Sequence, residues 1–124
     1  MMILLKRLLF TIFIVFPTAA MADANKYSCK GTVQGVTIDP QDGRVFLEKF
    51  GDHFAWPVLC SVQTEDNGIP PESCKAIYSM LLTAQSTKKQ VRFWFNDGKD
   101  CTPESHPAWR QLTGWYFGPN LAVD

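Results

Sequence analysis

Few side chains in this sequence are placed to do covalent or acid–base chemistry. The nucleophile and base candidates closest in sequence are Ser105 and His106, with Glu104 beside them. A nucleophile and its base must face one another within hydrogen-bond reach. Adjacent residues in a loop between Pro103 and Pro107 do not achieve this, and the segment reads as an ordinary loop. The Gly-x-Ser-x-Gly elbow, the phosphate loop and His-Glu-x-x-His are all missing. Glu65-Asp66 reads as a solvated loop pair, and His53, in the turn Gly51-Asp52-His53, as a neutral surface residue. The cysteines form no Cys-x-x-Cys pair, and neither histidine has a second ligand at a standard spacing, so no metal site is expected. No catalytic residue or cofactor is expected either, and the chain reads as a non-enzyme.

Two other kinds of chemistry are better supported. Cys29, Cys60, Cys74 and Cys101 are an even set in a short chain, as two disulfides would require. The second is recognition by aromatic rings. Residues 23–124 hold six Phe, four Trp and three Tyr, more than a small core can absorb on every face. Phe46 or Phe50, Phe93, Phe95 and Trp56 are expected inside. Trp94 lies beside Arg92 on the strand face opposite Phe93 and Phe95, while Trp109, Trp115 and Tyr116 crowd the last strand region. Arg92, Trp94, Trp109, Trp115 and Tyr116 therefore form the candidate binding surface, suited to a sugar ring or a protein partner.

The first 22 residues set the expected compartment. Lys6 and Arg7 precede the apolar run Leu8–Phe16, interrupted only by Thr11, and Ala20-Met21-Ala22 offers small residues before a cleavage point at Asp23. Met1–Ala22 reads as a signal peptide, because the run is about half the ~20 residues that span a bilayer. No later segment is apolar enough to span, and no Cys marks a lipoprotein. A periplasmic or secreted protein with no membrane anchor after cleavage is expected, and the even cysteine count agrees. The whole chain has 12 basic and 12 acidic residues, but residues 23–124 have 10 against 12. A slightly acidic domain lacks the footprint of a nucleic-acid binder.

Residues 23–124 read as one domain. Tyr27–Ile38 alternates as a strand whose phase slips at Gly35, which predicts a bulge. Arg44–Phe50 and Phe54–Val62 follow as strands, the latter irregular at Pro57. The spacing of Cys74, Ile77, Leu81 and Ala84 predicts a helix from about Pro71 to Ser86, with proline and Glu72 in its first turn. Gln90–Asn96 alternates, and a last strand over Arg110–Phe117 ends at Gly118-Pro119. The fold is thus mainly β with one α-helix. Its order, three strands, a helix and two strands, is that of a five-stranded OB-like β-barrel. First and fourth strands are neighbours there, which favours Cys29–Cys101 with Cys60–Cys74 and leaves Cys29–Cys74 with Cys60–Cys101 open.

The run from Cys60 through Cys74-Lys75-Ala76-Ile77-Tyr78-Ser79-Met80-Leu81-Leu82-Thr83-Ala84-Gln85 to Lys88-Lys89-Gln90-Val91-Arg92-Phe93 resembles a pattern in small exported bacterial proteins. These include the receptor-binding B subunits of pentameric A–B toxins of the subtilase-cytotoxin and typhoid-toxin type. The resemblance spans Cys60–Phe95. It implies an OB-fold, a homopentamer formed through the Cys74–Gln85 helix, and glycan binding on the barrel. The leading expectation is an exported, non-enzymatic binding domain that recognises a glycan or a protein. The alternative is a monomeric periplasmic accessory protein that binds one partner protein.

Overall fold

A computed structural model describes residues 12–15 and 24–123. The expected signal peptide and its cleavage point otherwise lie outside the described residues. The described residues are mostly β with one helix: β1 (Tyr27–Ile38), β2 (Arg44–Phe50), β3 (Phe54–Ala55), β4 (Val58–Ser61), α1 (Pro71–Thr87), β5 (Gln90–Phe95) and β6 (Trp115–Leu121). The order expected from the sequence holds, with one strand more. The third expected strand breaks at Trp56-Pro57, where Trp56 takes a left-handed backbone (φ 53°) that no strand can continue. Both pieces, β3 and β4, pair with β2.

All strands join one antiparallel sheet of order β3-β2-β1-β5-β6, with β4 also on β2. β1 carries it by changing partners. Tyr27–Thr32 pair with β5, and Val33–Ile38 pair with β2. The sheet does not close into a full barrel. Across the gap, an isolated parallel bridge joins Val58 to Gln111. Gly35 does sit at a kink (φ 65°), but no residue is inserted there: Gln34 stays opposite Lys49 and Val36 opposite Leu47. The expected phase slip is present, with Val33 and Val36 both turned to the core, but it is made by a bend rather than a bulge.

The last strand differs most from expectation. It begins at Trp115 instead of Arg110 and runs through Gly118-Pro119 to Leu121. Irregularities in its pairing with β5 on either side of Trp94 absorb the proline. At Gly118 (φ 93°) a side chain would meet the Arg92 carbonyl oxygen at 2.7 Å, so glycine is what lets the strand continue.

Phe50, Phe93, Phe95, Leu47, Leu59 and Leu81 are wholly buried between the sheet and α1. The helix starts at Pro71, behind the extended Pro70, and Glu72 lies in its first turn. It ends where Lys88 turns left-handed (φ 58°) and the Lys89 N–H donates to the Ala84 carbonyl (3.0 Å). Cys74, Leu81 and Ala84 form its buried stripe. Gln85 supplies an oxygen to the Val36 N–H (2.8 Å), in the half of β1 that has left β5.

The disulfides are Cys29–Cys101 and Cys60–Cys74, with no free cysteine among the described residues. They fit an exported protein, and no described helix is long and apolar enough to cross a membrane. Cys60–Cys74 binds α1 to β4. Replacing both of its cysteines with serine is expected to cost about 2–4 kcal/mol, read as a lower urea midpoint against the parent protein.

Candidate functional site

The long segment between β5 and β6 carries most of the site. Cys101 ties its start to β1. Asp100 then caps the following turn, its Oδ1 accepting from the Thr102 hydroxyl (2.6 Å), the Ser105 hydroxyl (2.7 Å) and the Thr102 N–H (3.1 Å). Those hydroxyls, Thr102 first and then Ser105, hold the Asp100 carboxyl below its usual range. Further along, residues 109–112 lie beside 56–58. The Trp109 N–H donates to the Trp56 carbonyl (2.9 Å), the Val58 N–H to Arg110 (3.0 Å) and the Leu112 N–H to Val58 (2.9 Å). Leu112 is buried and anchors the stretch.

This pairing sets two tryptophans face to face. Trp56 and Trp109 both have left-handed backbones, with φ of 53° and 66°. Their rings stack at 4.8 Å and 11°. A bulky residue in that region costs on the order of 1–3 kcal/mol and persists only where its surroundings impose it. Trp109 is 62% exposed, so one indole face lies against Trp56 and the other is open to solvent. Phe46 supports the edge at 5.9 Å. The Arg44 guanidinium sits over Phe46 (5.4 Å) and is held by Asp42 (2.6 Å). Trp56, expected in the core, is half-buried as the underside of this platform.

Next to the platform, the same two segments enclose a pocket of about 290 Å³ between Gly51–Ala55 and Pro103–Ala108. That is close to the ~300 Å³ lower end for small-ligand sites. Phe54, Ala55, Pro103 and Ala108 make it largely apolar, and His106 closes it. His106 is buried against Phe95 (4.8 Å) and Phe54 (5.2 Å). Its Nε2 lies 2.9 Å from the Tyr27 hydroxyl, which donates to Asp97 Oδ1 at 2.8 Å. Because that proton is committed to Asp97, Nε2 carries the hydrogen that Tyr27 accepts. Burial, then Asp97, pushes the Tyr27 hydroxyl well above its usual 10. Burial lowers the His106 imidazole below 6.5, against the opposing pull of Asp97.

Chemically this is a fixed hydrogen-bond chain with a neutral imidazole, not a nucleophile and base. The Ser105 hydroxyl is given to Asp100 and is not aimed at His106. At the rim, His53 Nε2 donates to the Lys30 carbonyl (2.7 Å). Among the described residues no group of His, Cys, Asp and Glu could hold a metal.

The five ring and guanidinium residues expected on one surface divide into separate groups. Trp109 belongs to the platform. Arg92, Trp94 and Tyr116 lie on β5 and β6, where Trp94 meets Phe117 (5.2 Å) and the Arg92 guanidinium (5.7 Å). Trp115 turns inward onto Phe93 (5.1 Å), and its indole N–H donates to the Phe117 and Gly118 carbonyls. Trp56, Phe46 and the chain Tyr27–Asp97–His106 carry no motif. The one usable signal was the Cys29–Cys101 pairing, which draws Tyr27 toward His106 once accepted.

The buried neutral His106 makes stability pH-dependent. Its folded value lies below the unfolded 6.5, so the unfolded chain takes up the proton first. Stability should be full above pH 6.5 and fall as pH drops below it, by at most about 1.4 kcal/mol per pH unit from this group. Urea midpoints between pH 7.5 and 5 check this, and His106→Gln should flatten that part of the profile. No protein-family model, curated protein or solved structure matches this chain.

Proposed function

We propose that this is an exported, non-enzymatic binding domain that recognises a glycan on the Trp109 platform. The observation carrying the reading is the open indole face of Trp109, backed by Trp56 and fixed by two left-handed tryptophans. A pyranose presents a flat C–H face that lies on an indole, while its hydroxyls need polar groups at the edge. Arg44 and Asp42 stand on one side of the platform, and the pocket closed by His106 on the other. A platform bound to a rigid loop loses little conformational freedom on binding, which favours a weakly held ligand such as a sugar.

Export is supported by the leader Met1–Ala22 and by two disulfides. The reading includes association of copies, as a pentamer, through α1. From Ala76 to Thr87 the helix carries no charge, and Met80 and Leu82 are exposed on it. Native mass measurement tests that part: a pentamer supports it and a clean monomer removes it.

Glycan binding is tested on a broad glycan array, followed by titration of any hit. Trp109→Ala should weaken binding at least tenfold, about 1.4 kcal/mol, while Trp94→Ala leaves it within twofold. An array without hits, or a hit indifferent to Trp109→Ala, would sink the proposal.

A further inference from the structure

The outer face of β1, β5 and β6 has a different character from the platform. Cys29, Gly31, Val91 and Phe93 point inward, so the alternate residues point out. Pairing sets Ser28, Trp94 and Phe117 in one row and Lys30, Arg92 and Asn120 in the next. Lys26 adds a third cation, its ammonium 5.7 Å over the Tyr116 ring. Tyr27–Thr32, Gln90–Phe95 and Trp115–Leu121 contain no acidic residue, although residues 23–124 as a whole are net acidic.

This placement is unfavourable for the isolated domain. Lys30 and Arg92 stand directly opposite one another, and like charges so placed destabilise a sheet. Among the described residues neither forms an ion pair, and Arg92 Nε is buried without a hydrogen-bond partner. Phe117, 63% exposed, is an apolar side chain on the edge strand of this face, beside Trp94. An acidic, partly apolar surface laid against the face would offset the Lys30–Arg92 repulsion and cover Phe117.

The rings decide which acidic partner fits. Trp94 is met by Arg92 and by the edge of Phe117, and Tyr116 lies under Lys26. Trp94 is thus crowded by Arg92 and Phe117, whereas the exposed ring of Trp109 is the one suited to stacking. Interlocked Trp, Tyr and Arg around an apolar anchor are what protein interfaces concentrate at their centres. Strand addition at β6 is poorly served, because its own indole occupies the Phe117 and Gly118 carbonyls and Pro119 has no N–H. The geometry points to a second binding site on this face, for an acidic segment of a partner protein that seats an apolar side chain against Phe117.

The probe is a library of random twelve-residue peptides displayed on phage and selected on the disulfide-intact protein. Enriched peptides should carry at least two Asp or Glu flanking an apolar residue. A synthetic copy should bind with micromolar Kd, more weakly as salt rises. Phe117→Ala and Lys30→Glu should each weaken it at least tenfold, and Trp109→Ala should not. Both altered residues are exposed, and unchanged melting curves show that the variants fold. The proposal is overturned if no acidic consensus emerges, or if binding survives both substitutions. It is equally overturned if a twenty-nucleotide dT strand or heparin binds this face more tightly than the peptide, which would reassign it to nucleic acid or an anionic glycan.

Discussion

Cys29–Cys101 is the constraint on which the site depends. Residues 96–114 form a long stretch without strand or helix, a length at which chains usually take many conformations. The disulfide closes a separation of 72 residues and fixes the start of that stretch to β1. Asp100 then shapes the next turn, and the pairing of residues 109–112 with 56–58 fixes the far end. Between these two attachments lie His106 and Trp109. Without the covalent tie, the loop-closure entropy for the whole stretch would fall on a few hydrogen bonds and Leu112.

The two left-handed tryptophans show where that rigidity is used. Their backbone cost, on the order of 1–3 kcal/mol each, is not recovered by burial, since Trp109 stays mostly in solvent. It is offset locally by the ring stack, by the Trp109–Trp56 backbone hydrogen bond and by the anchoring of Leu112. A loop optimised for stability alone would place glycine at such positions and put its large rings inside. Here the stack on Trp56 instead holds the Trp109 ring outward, the arrangement on which the proposed glycan reading rests.

What the sequence revealed follows from the range of the forces involved. The helix from Pro71 and the strands at β1, β2 and β5 are written in local periodicity, and they were legible. The favoured disulfide pairing followed from strand adjacency, a topological rule. The break at Trp56 and the shift of β6 to Trp115–Leu121 were not legible. Tryptophan has no intrinsic preference for positive φ, and Gly118-Pro119 ordinarily ends a strand; both outcomes are imposed by distant partners. The aromatic excess was visible as a count, but its division into a platform, a ring at Trp115 packed against the core and an outer face needs the register. His106 is the loop residue the sequence suggested, but its burial was not legible because its hydrogen-bond partner Tyr27 is 79 positions away.

β1 is the element common to both surfaces. Its inward Tyr27 stacks on Phe95 (5.1 Å) and reaches His106, the closing wall of the apolar pocket. Its outward Ser28 and Lys30 belong to the rows that contain Trp94 and Arg92. A ligand in the pocket that His106 lines and a protein on the proposed outer face would therefore depend on alternate side chains of one strand. The strand is held by β5 along its first half, by β2 along its second and by a disulfide at Cys29, so it is poorly suited to transmit movement. If both proposed sites are occupied, the domain would act as an adaptor with two faces. Its affinities for a surface glycan and for a carried protein would then combine through simultaneous engagement, by effective concentration, without any change of shape.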